Sequence, residues 1–355
     1  MREIKIENKI IGLSHPTYFI ADLAANHDGD LERAKDLIYL CAEAGADAAK
    51  FQHFSANTIV SDAGFKSLGD QQSHQSKWNK SVFDVYQDAS IDQDWTPILK
   101  ETCKKAGITF LTSPYSYELV DKVDNYLSAY KIGSGDITWL GIVDYIASKN
   151  KPVLLATGAS NMNEVDMAMS TLLQRTNDIV LMQCNTNYTA SLENFKYINL
   201  NVLKEYGRKY PDTILGLSDH TPGNATVLGA VTLGARVIEK HFTNDTNREG
   251  PDHKFSMDFN SWKGMVDRTR ELEIALGVET KKVEGNEKET VILQRRSVRA
   301  KKDLVAGGII GEDDIEFLRP CPKDGLPPYE IENILNKRLV KDIRTGDCVK
   351  WTSLK

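Results

Sequence analysis

The 355-residue sequence predicts a parallel (β/α)8 TIM barrel followed by a small C-terminal domain. Three observations predict it. From residue 17 onward, short apolar runs alternate with amphipathic helical patterns, as parallel strands joined by crossover helices require. There are eight such runs, the number that closes a barrel. The last two, TILGLSDH and ARVIEKHF, carry His220 and His241, and the small-residue segment TPGNATVLGAVTLG between them suits a crossover helix. Both histidines therefore fall at the same ends of adjacent parallel strands.

The expected strands are 18–25, 47–54, 108–113, 129–134, 153–158, 179–185, 213–219 and 236–242. Between them, LERAKDLIYLCAEAGA follows Asp30 and NEVDMAMSTLLQRT follows Asn161, both good N-cap residues for a helix. An open doubly wound sheet is the structural alternative, but no G-x-G-x-x-G or Walker-type loop supports a nucleotide-binding version of it. The excursion at 66–89, polar but holding large aromatic residues, reads as an enlarged loop over the catalytic end. The barrel is expected to occupy 1–276, a charged linker 277–290, and a small domain broken by Gly-Gly, Asp-Gly and Pro-Pro pairs 291–355.

Composition narrows the function. With 44 basic and 50 acidic residues the net charge is -6, and no basic block tracks a phosphate backbone, so nucleic acid is not an expected partner. The N-terminus lacks a signal-peptide core and no stretch approaches the ~18 apolar residues of a membrane span, so the expected location is the cytoplasm, away from membranes. Five scattered cysteines without a C-x-x-C pair read as reduced thiols.

In a parallel barrel the C-terminal strand ends converge on one pocket. Asp22, Asn26, His27, Lys50, Gln52, Ser113, Lys131 and Ser134 fall there from the first half of the barrel, and Thr157, Tyr188, Ser218, His220, Glu239, His241 and Asp252 from the second. His220 and His241, flanked by Ser218, Asp219 and Glu239, suit a divalent metal. Lys50 and Lys131 on apolar strands are costly to bury without an anion, which points to a phosphate or carboxylate ligand, or else to internal ion pairs with Asp22 or Glu239.

Six segments carry a resemblance: IADLAANHDGDLERAKDLIYLCAEAGADAAKFQ, YKIGSGD, LATG, GLSDHTPGN, GARVIEKHFTNDTNREGPDH and FLRPCPKDGLPPYEI. Together they closely resemble the sialic acid synthases, bacterial enzymes that condense phosphoenolpyruvate with N-acetylmannosamine or a related amino sugar. The C-terminal segment resembles that family's antifreeze-like (SAF) domain. The resemblance implies a divalent ion held by His220 and His241, manganese first, with magnesium or cobalt as alternatives. It implies that Lys50, Lys131, Ser113, Ser134 and Tyr188 hold phosphoenolpyruvate with Ser218 nearby, that Gln52 and Asp252 face the sugar, and that Asp22, Lys50, Lys131 and Glu239 form the catalytic set. Arg319 in FLRP resembles an arginine that reaches into the partner subunit's barrel, which implies a domain-swapped homodimer.

Three departures fall at the pocket. Asp22 stands where the family has glutamate, CNTNYTA lacks a proline after Tyr188, and the 66–89 excursion is not the usual loop. They leave the acceptor sugar open: N-acetylmannosamine, a 2,4-diacetamido-trideoxyhexose or something rarer. Two rivals remain, a Schiff-base pyruvate aldolase or lyase using Lys131 and a non-catalytic sugar-binding homologue.

Overall fold

The computed structural model describes residues 2–68, 80–189 and 191–355. It divides into two compact units, Met1–Gly277 and Val278–Lys355.

The first unit opens with an antiparallel hairpin, β1 (Glu3–Ile6) and β2 (Lys9–Gly12), turning at Glu7 in the left-handed region. Eight strands follow: β3 (Tyr18–Asp22), β4 (Ala48–His53), β5 (Thr109–Pro114), β6 (Tyr130–Ile132), β7 (Val153–Ala156), β8 (Ile179–Cys184), β9 (Ile214–Asp219) and β10 (Ala235–His241). All eight expected strands form, each shortened or shifted by a few residues at its ends. They pair in parallel in the order β5-β4-β3-β10-β9-β8-β7-β6, and the end strands β5 and β6 lie side by side, so the sheet curls into a near-closed barrel.

Alternation along the strands sorts the side chains. Ile20, Ala48, Leu111, Leu154, Val180 and Val237 point inward as an apolar floor, joined by Ile4, Ile6 and Ile11 of the hairpin. Phe19, Phe51, Phe110, Leu155, Leu181 and Ile238 point outward to the helices. Helix Leu31–Glu43 starts where Asp30 accepts the backbone N–H groups of Glu32 and Arg33, and Met162–Leu173 starts with a capping box between Asn161 and Glu164.

The 66–89 excursion stands over the C-terminal strand ends as expected, but much of its described part is helical: it takes in the end of helix Asp62–Leu68 and the helix Val82–Ala89, while 69–79 lies outside the described residues. In the second unit, β11 (Ser297–Ala300) and β12 (Ile315–Leu318) pair antiparallel over a small core that includes Val298, Ile310, Ile334 and Val349. The expected linker at 277–290 holds a single turn, Gly285–Glu287, and the start of a helix, Lys288–Gln294.

A buried ion pair fixes the two strands that carry the histidines. Lys240 on β10 and Asp219 on β9 face outward, each 2% exposed. Lys240 Nζ donates to Asp219 Oδ2 and to the Thr221 carbonyl, both at 2.5 Å, and Thr226 Oγ1 donates to the same carboxylate oxygen at 2.7 Å. Burial works against the Asp219 charge, but Lys240 and the hydroxyls outweigh it and hold the carboxyl below its usual range. Lys240→Met would leave that carboxylate buried without its cation. We expect it to cost about 3–5 kcal/mol, read as a lowered midpoint in chemical denaturation.

Candidate active site

At the C-terminal strand ends lies a cavity of about 390 Å³. The inward side of the two-residue period brings Asp22, Lys50, Gln52, Lys131, Ser218, Glu239 and His241 to its wall, and His220 follows directly on β9.

Four buried charges form its centre. Lys50 Nζ lies 2.6 Å from Asp22 Oδ2 and 3.5 Å from Glu239 Oε1, and Lys131 Nζ lies 3.2 Å from Glu239 Oε1. Ser218 Oγ donates to the same Glu239 oxygen at 3.2 Å. Burial disfavours the charge on Lys50, yet Asp22 and Glu239 more than offset it and its pKa is raised. Burial likewise pushes Glu239 up, but Lys131 and Lys50 prevail and hold it at about 2. For Asp22 burial dominates despite Lys50, and its pKa is raised. Both lysines thus have carboxylate partners, supplied by β3 and β10 rather than by neighbours in sequence.

The histidine rings lie 5.3 Å apart, centroid to centroid, with Tyr188 4.5 Å from His220 and Phe255 4.8 Å from His241. Burial, with the neighbouring ring, lowers the His220 pKa to about 4; burial and then Lys50 lower that of His241 to about 3. Both imidazoles are neutral at physiological pH, the form that binds metals. His220 Nδ1 donates to the Asn185 carbonyl at 2.9 Å, which fixes the tautomer and leaves Nε2 as a lone pair. His241 Nδ1 is buried without a hydrogen-bond partner, and Nε2 lies 3.5 Å from Asp22 Oδ2. Among the described residues no group of three or more His, Cys, Asp and Glu is spaced to enclose a metal. The donors the cavity does offer an ion are the two imidazoles, of which His220 has Nε2 free as a lone pair.

Ser134 opens the turn after β6 and accepts the Gly158 N–H at 2.9 Å. A Cβ on Gly158 would come within 2.8 Å of that hydroxyl, so only glycine allows the approach. Asp252 Oδ2 accepts the Ala25 N–H at 3.1 Å, and burial pushes its pKa up to about 7. The loop bearing it is pinned by buried His253, bonded to Thr243 at 2.7 Å and Asp28 at 2.8 Å.

Some expected residues lie elsewhere. Ser113 is 1% exposed, with its hydroxyl unpartnered, and does not line the cavity. Asn26 donates to the Phe242 carbonyl and to Ser256, Thr157 to the Met182 carbonyl, and His27 accepts the Gly29 N–H, all structural contacts. Arg319 is exposed just after β12 in the second unit, before a cis Pro320. Sequence reasoning missed Phe54, Tyr86, Tyr115 and Asp136, which line the cavity. Asp136, whose pKa burial raises to about 6, stands two residues beyond Ser134 in KIGSGD, and that position past a strand end was the available signal.

A barrel with buried lysines, carboxylates and paired imidazoles at its strand ends has the form of an enzyme active site. The chain belongs to the NeuB family, whose sequence profile matches residues 37–281, and residues 295–355 match the SAF domain. It is 34% identical over 346 residues to the N,N'-diacetyllegionaminic acid synthase of Legionella pneumophila, covering 96% of this chain and 95% of that one. It is 34% identical over 342 residues to a pseudaminic acid synthase of Campylobacter jejuni, covering 94% and 95% respectively. Among solved structures it resembles the N-acetylneuraminic acid (sialic acid) synthetase of Leptospira borgpetersenii in complex with citrate. The TM-score is 0.71 at 26% identity, over 82% of this chain and 95% of that one. These relatives make nonulosonic acids, so the family is one of nonulosonic acid synthases.

Asp252 supplies a test of the site's electrostatics. Its folded pKa of about 7 lies above the ordinary 3.8, so folding favours the protonated form. Its contribution to stability is full below pH ~4 and is lost as pH rises to ~7. Asp252→Asn keeps an oxygen for the Ala25 N–H but does not titrate. The variant should gain stability relative to the parent across that window and hold a constant difference above it, as read by urea denaturation from pH 4 to 8.5.

Proposed function

We propose that the chain is a phosphoenolpyruvate-dependent nonulosonic acid synthase. It would join C3 of phosphoenolpyruvate to the aldehyde carbon of an N-acylated amino hexose, such as N-acetylmannosamine or a 2,4-diacetamido-trideoxyhexose. Water adds at C2, and the C2–O bond breaks to release inorganic phosphate. The observation that carries this reading is the pairing of neutral His220 and His241 beside buried Lys50 and Lys131 in one cavity.

Lys50 and Lys131 direct positive charge at the phosphate and carboxylate of phosphoenolpyruvate, while Ser134, Ser218 and Tyr188 orient it. Gln52 and Asp252 face the sugar. Asp22 and Glu239 hold the two lysine side chains in place before substrate arrives. A divalent ion held by His220 and His241, manganese first, would supply Lewis-acid polarisation of the aldehyde carbonyl. The family resemblance adds Arg319 to the sugar site of a partner copy, in a domain-swapped homodimer; the Ser113 hydroxyl it also implies as a phosphoenolpyruvate ligand lies behind the cavity wall. We place the enzyme in the cytoplasm; among the described residues no helix is long and apolar enough to cross a membrane.

The paired His220 and His241 speak against the Schiff-base alternative, because imine chemistry at Lys131 needs no metal. Asp22, though shorter than the family's glutamate, still pairs with Lys50 at 2.6 Å, so this departure leaves the buried charge network whole and does not favour the non-catalytic alternative.

Phosphate release from phosphoenolpyruvate should require an N-acylated amino sugar, stop on treatment with a chelator and return with manganese. His241→Ala should lower the rate on the order of a thousandfold; full activity in metal-free protein would sink the metal assignment. Coexpression of Arg319→Ala with His241→Ala should restore some activity through heterodimers with one intact pocket. Heterodimers without activity would remove Arg319 from the partner's site.

A further inference from the structure

The loop after β10 runs from Phe242 to the turn His253–Phe255, and it brings Pro251 and Asp252 to the cavity wall. Its position is set from the neighbouring strand, by the loop that follows β3. Asp28 in that loop takes the left-handed backbone conformation, with φ at 52°, and both of its carboxylate oxygens are engaged. Oδ1 accepts from His253 Nε2 at 2.8 Å. Oδ2 accepts from Arg248 Nε at 2.9 Å and lies 3.2 Å from Arg33 Nε, and Arg33, on helix Leu31–Glu43, also donates to Asn244 Oδ1 at 2.7 Å. One carboxylate thus gathers an imidazole and two guanidiniums, and the loop after β10 is held at Asn244, Arg248 and His253.

His253 is the buried end of this latch. Its side chain is closed to solvent, with Nε2 donating to Asp28 and Nδ1 accepting the Thr243 hydroxyl at 2.7 Å, the neutral form that burial favours. The space around the ring is fully used: a Cβ on Gly250 would come within 2.6 Å of its Cδ2 and 3.5 Å of Asp28 Oδ1. Asp252 shares the same support, because its carboxylate accepts the N–H of Ala25, in the loop that carries Asp28. That loop therefore grips Asp252 directly, and its neighbour His253 through Asp28.

We propose that Asp28 is a positioning residue, which acts through His253 and Arg248 to hold Asp252 at the cavity and so sets how the acceptor sugar is bound. The proposal rests on the synthase reading, in which Asp252 faces the sugar. Lys50, Lys131, Ser134 and Ser218, assigned there to phosphoenolpyruvate, stand on β4, on β6, in the turn after β6 and on β9, and among the described residues none of them bonds to the latch. The two substrates should therefore respond differently when the latch is broken.

Phosphate release from phosphoenolpyruvate is measured with N-acetylmannosamine and with a 2,4-diacetamido-trideoxyhexose, and variants are compared on the acceptor that the parent uses. Asp28→Ala should lower kcat/KM for that acceptor by about 10- to 100-fold, the effect of a group misplaced by about 1 Å, and leave the KM for phosphoenolpyruvate unchanged. Gly250→Ala should do the same from the side of the latched loop. His253→Ala should match Asp28→Ala, and His253→Gln, whose amide nitrogen can donate to Asp28 as Nε2 does, should recover most of the loss. Where Asp28→Ala fails to fold, Asp28→Asn, which keeps an oxygen for His253 but no charge for the guanidiniums, should shift the acceptor kinetics in the same direction by less. Acceptor kinetics that Asp28→Ala, or in its place Asp28→Asn, and Gly250→Ala leave untouched overturn the proposal while the synthase reading stands. A KM for phosphoenolpyruvate that rises in step with the acceptor's also overturns it, since a contact that merely supports the fold acts on both. If the parent releases phosphate with neither acceptor, the synthase reading fails and takes this proposal with it.

Discussion

Two lysines and two carboxylates share a space that is nearly closed to water, with Asp22, Lys50, Lys131 and Glu239 each 4% exposed or less. A single charge buried that deeply costs several kcal/mol; the four are tolerable because each lies within reach of an opposite one. Their meeting depends on strand register. Asp22 is level with Lys50 across β3 and β4, His241 with Asp22 across β10 and β3, and Glu239 with Ser218 across β10 and β9. A slip of one residue on any of these strands would turn its charges outward into the apolar layer beneath the helices. The site and the barrel's register are therefore one constraint.

The same strands are held from behind. Along β9 and β10, Ser218, Glu239 and His241 look into the cavity while Asp219 and Lys240 look away and bind each other. Thr221 and Thr226 complete that outer network, which ties the strand ends to helix Ala225–Thr232. Neutral imidazoles inside and a compensated ion pair outside share one stretch of backbone, so the histidines can stay uncharged without leaving the strand ends unanchored. At the cavity floor, Gly216 allows the same closeness: a Cβ there would meet Met182 and the Val237 carbonyl at 2.9 Å.

Much of this could be read from the sequence because the barrel strands are short apolar runs bounded by turn residues, a pattern that survives without knowledge of contacts. The N-terminal hairpin could not be read in this way. EIKI and KIIG are four residues each and mix charge with isoleucine, so neither rises above background, although Ile4, Ile6 and Ile11 close the barrel floor. The partners of the lysines were equally hidden. Lys50 sits among alanines in AAKF, and its carboxylates come from strands 28 residues before it and 189 residues after it. Helix Val82–Ala89 was obscured by the polar residues around it, since its apolar face spans only three cavity-facing positions.

Asp22 in place of the family's glutamate changes what the carboxylate can do. Its Oδ2 is committed to Lys50 at 2.6 Å, and its Oδ1 accepts the Ala24 N–H at 3.1 Å where the backbone turns through the left-handed region at Ala24. The shorter side chain is thereby drawn back to the barrel wall, with both its oxygens engaged there. This arrangement also sets the charge of the resting site. Lys50 and Lys131 are balanced by Asp22 and Glu239, and the two histidines are neutral, so the inner set has no net positive charge to meet a phosphate and a carboxylate. The proposed divalent ion is what would supply that charge. On this account an ion at the histidines would prepare the pocket for an anionic substrate as well as for an aldehyde, adding net charge to the hydrogen-bond donors that the two lysines present.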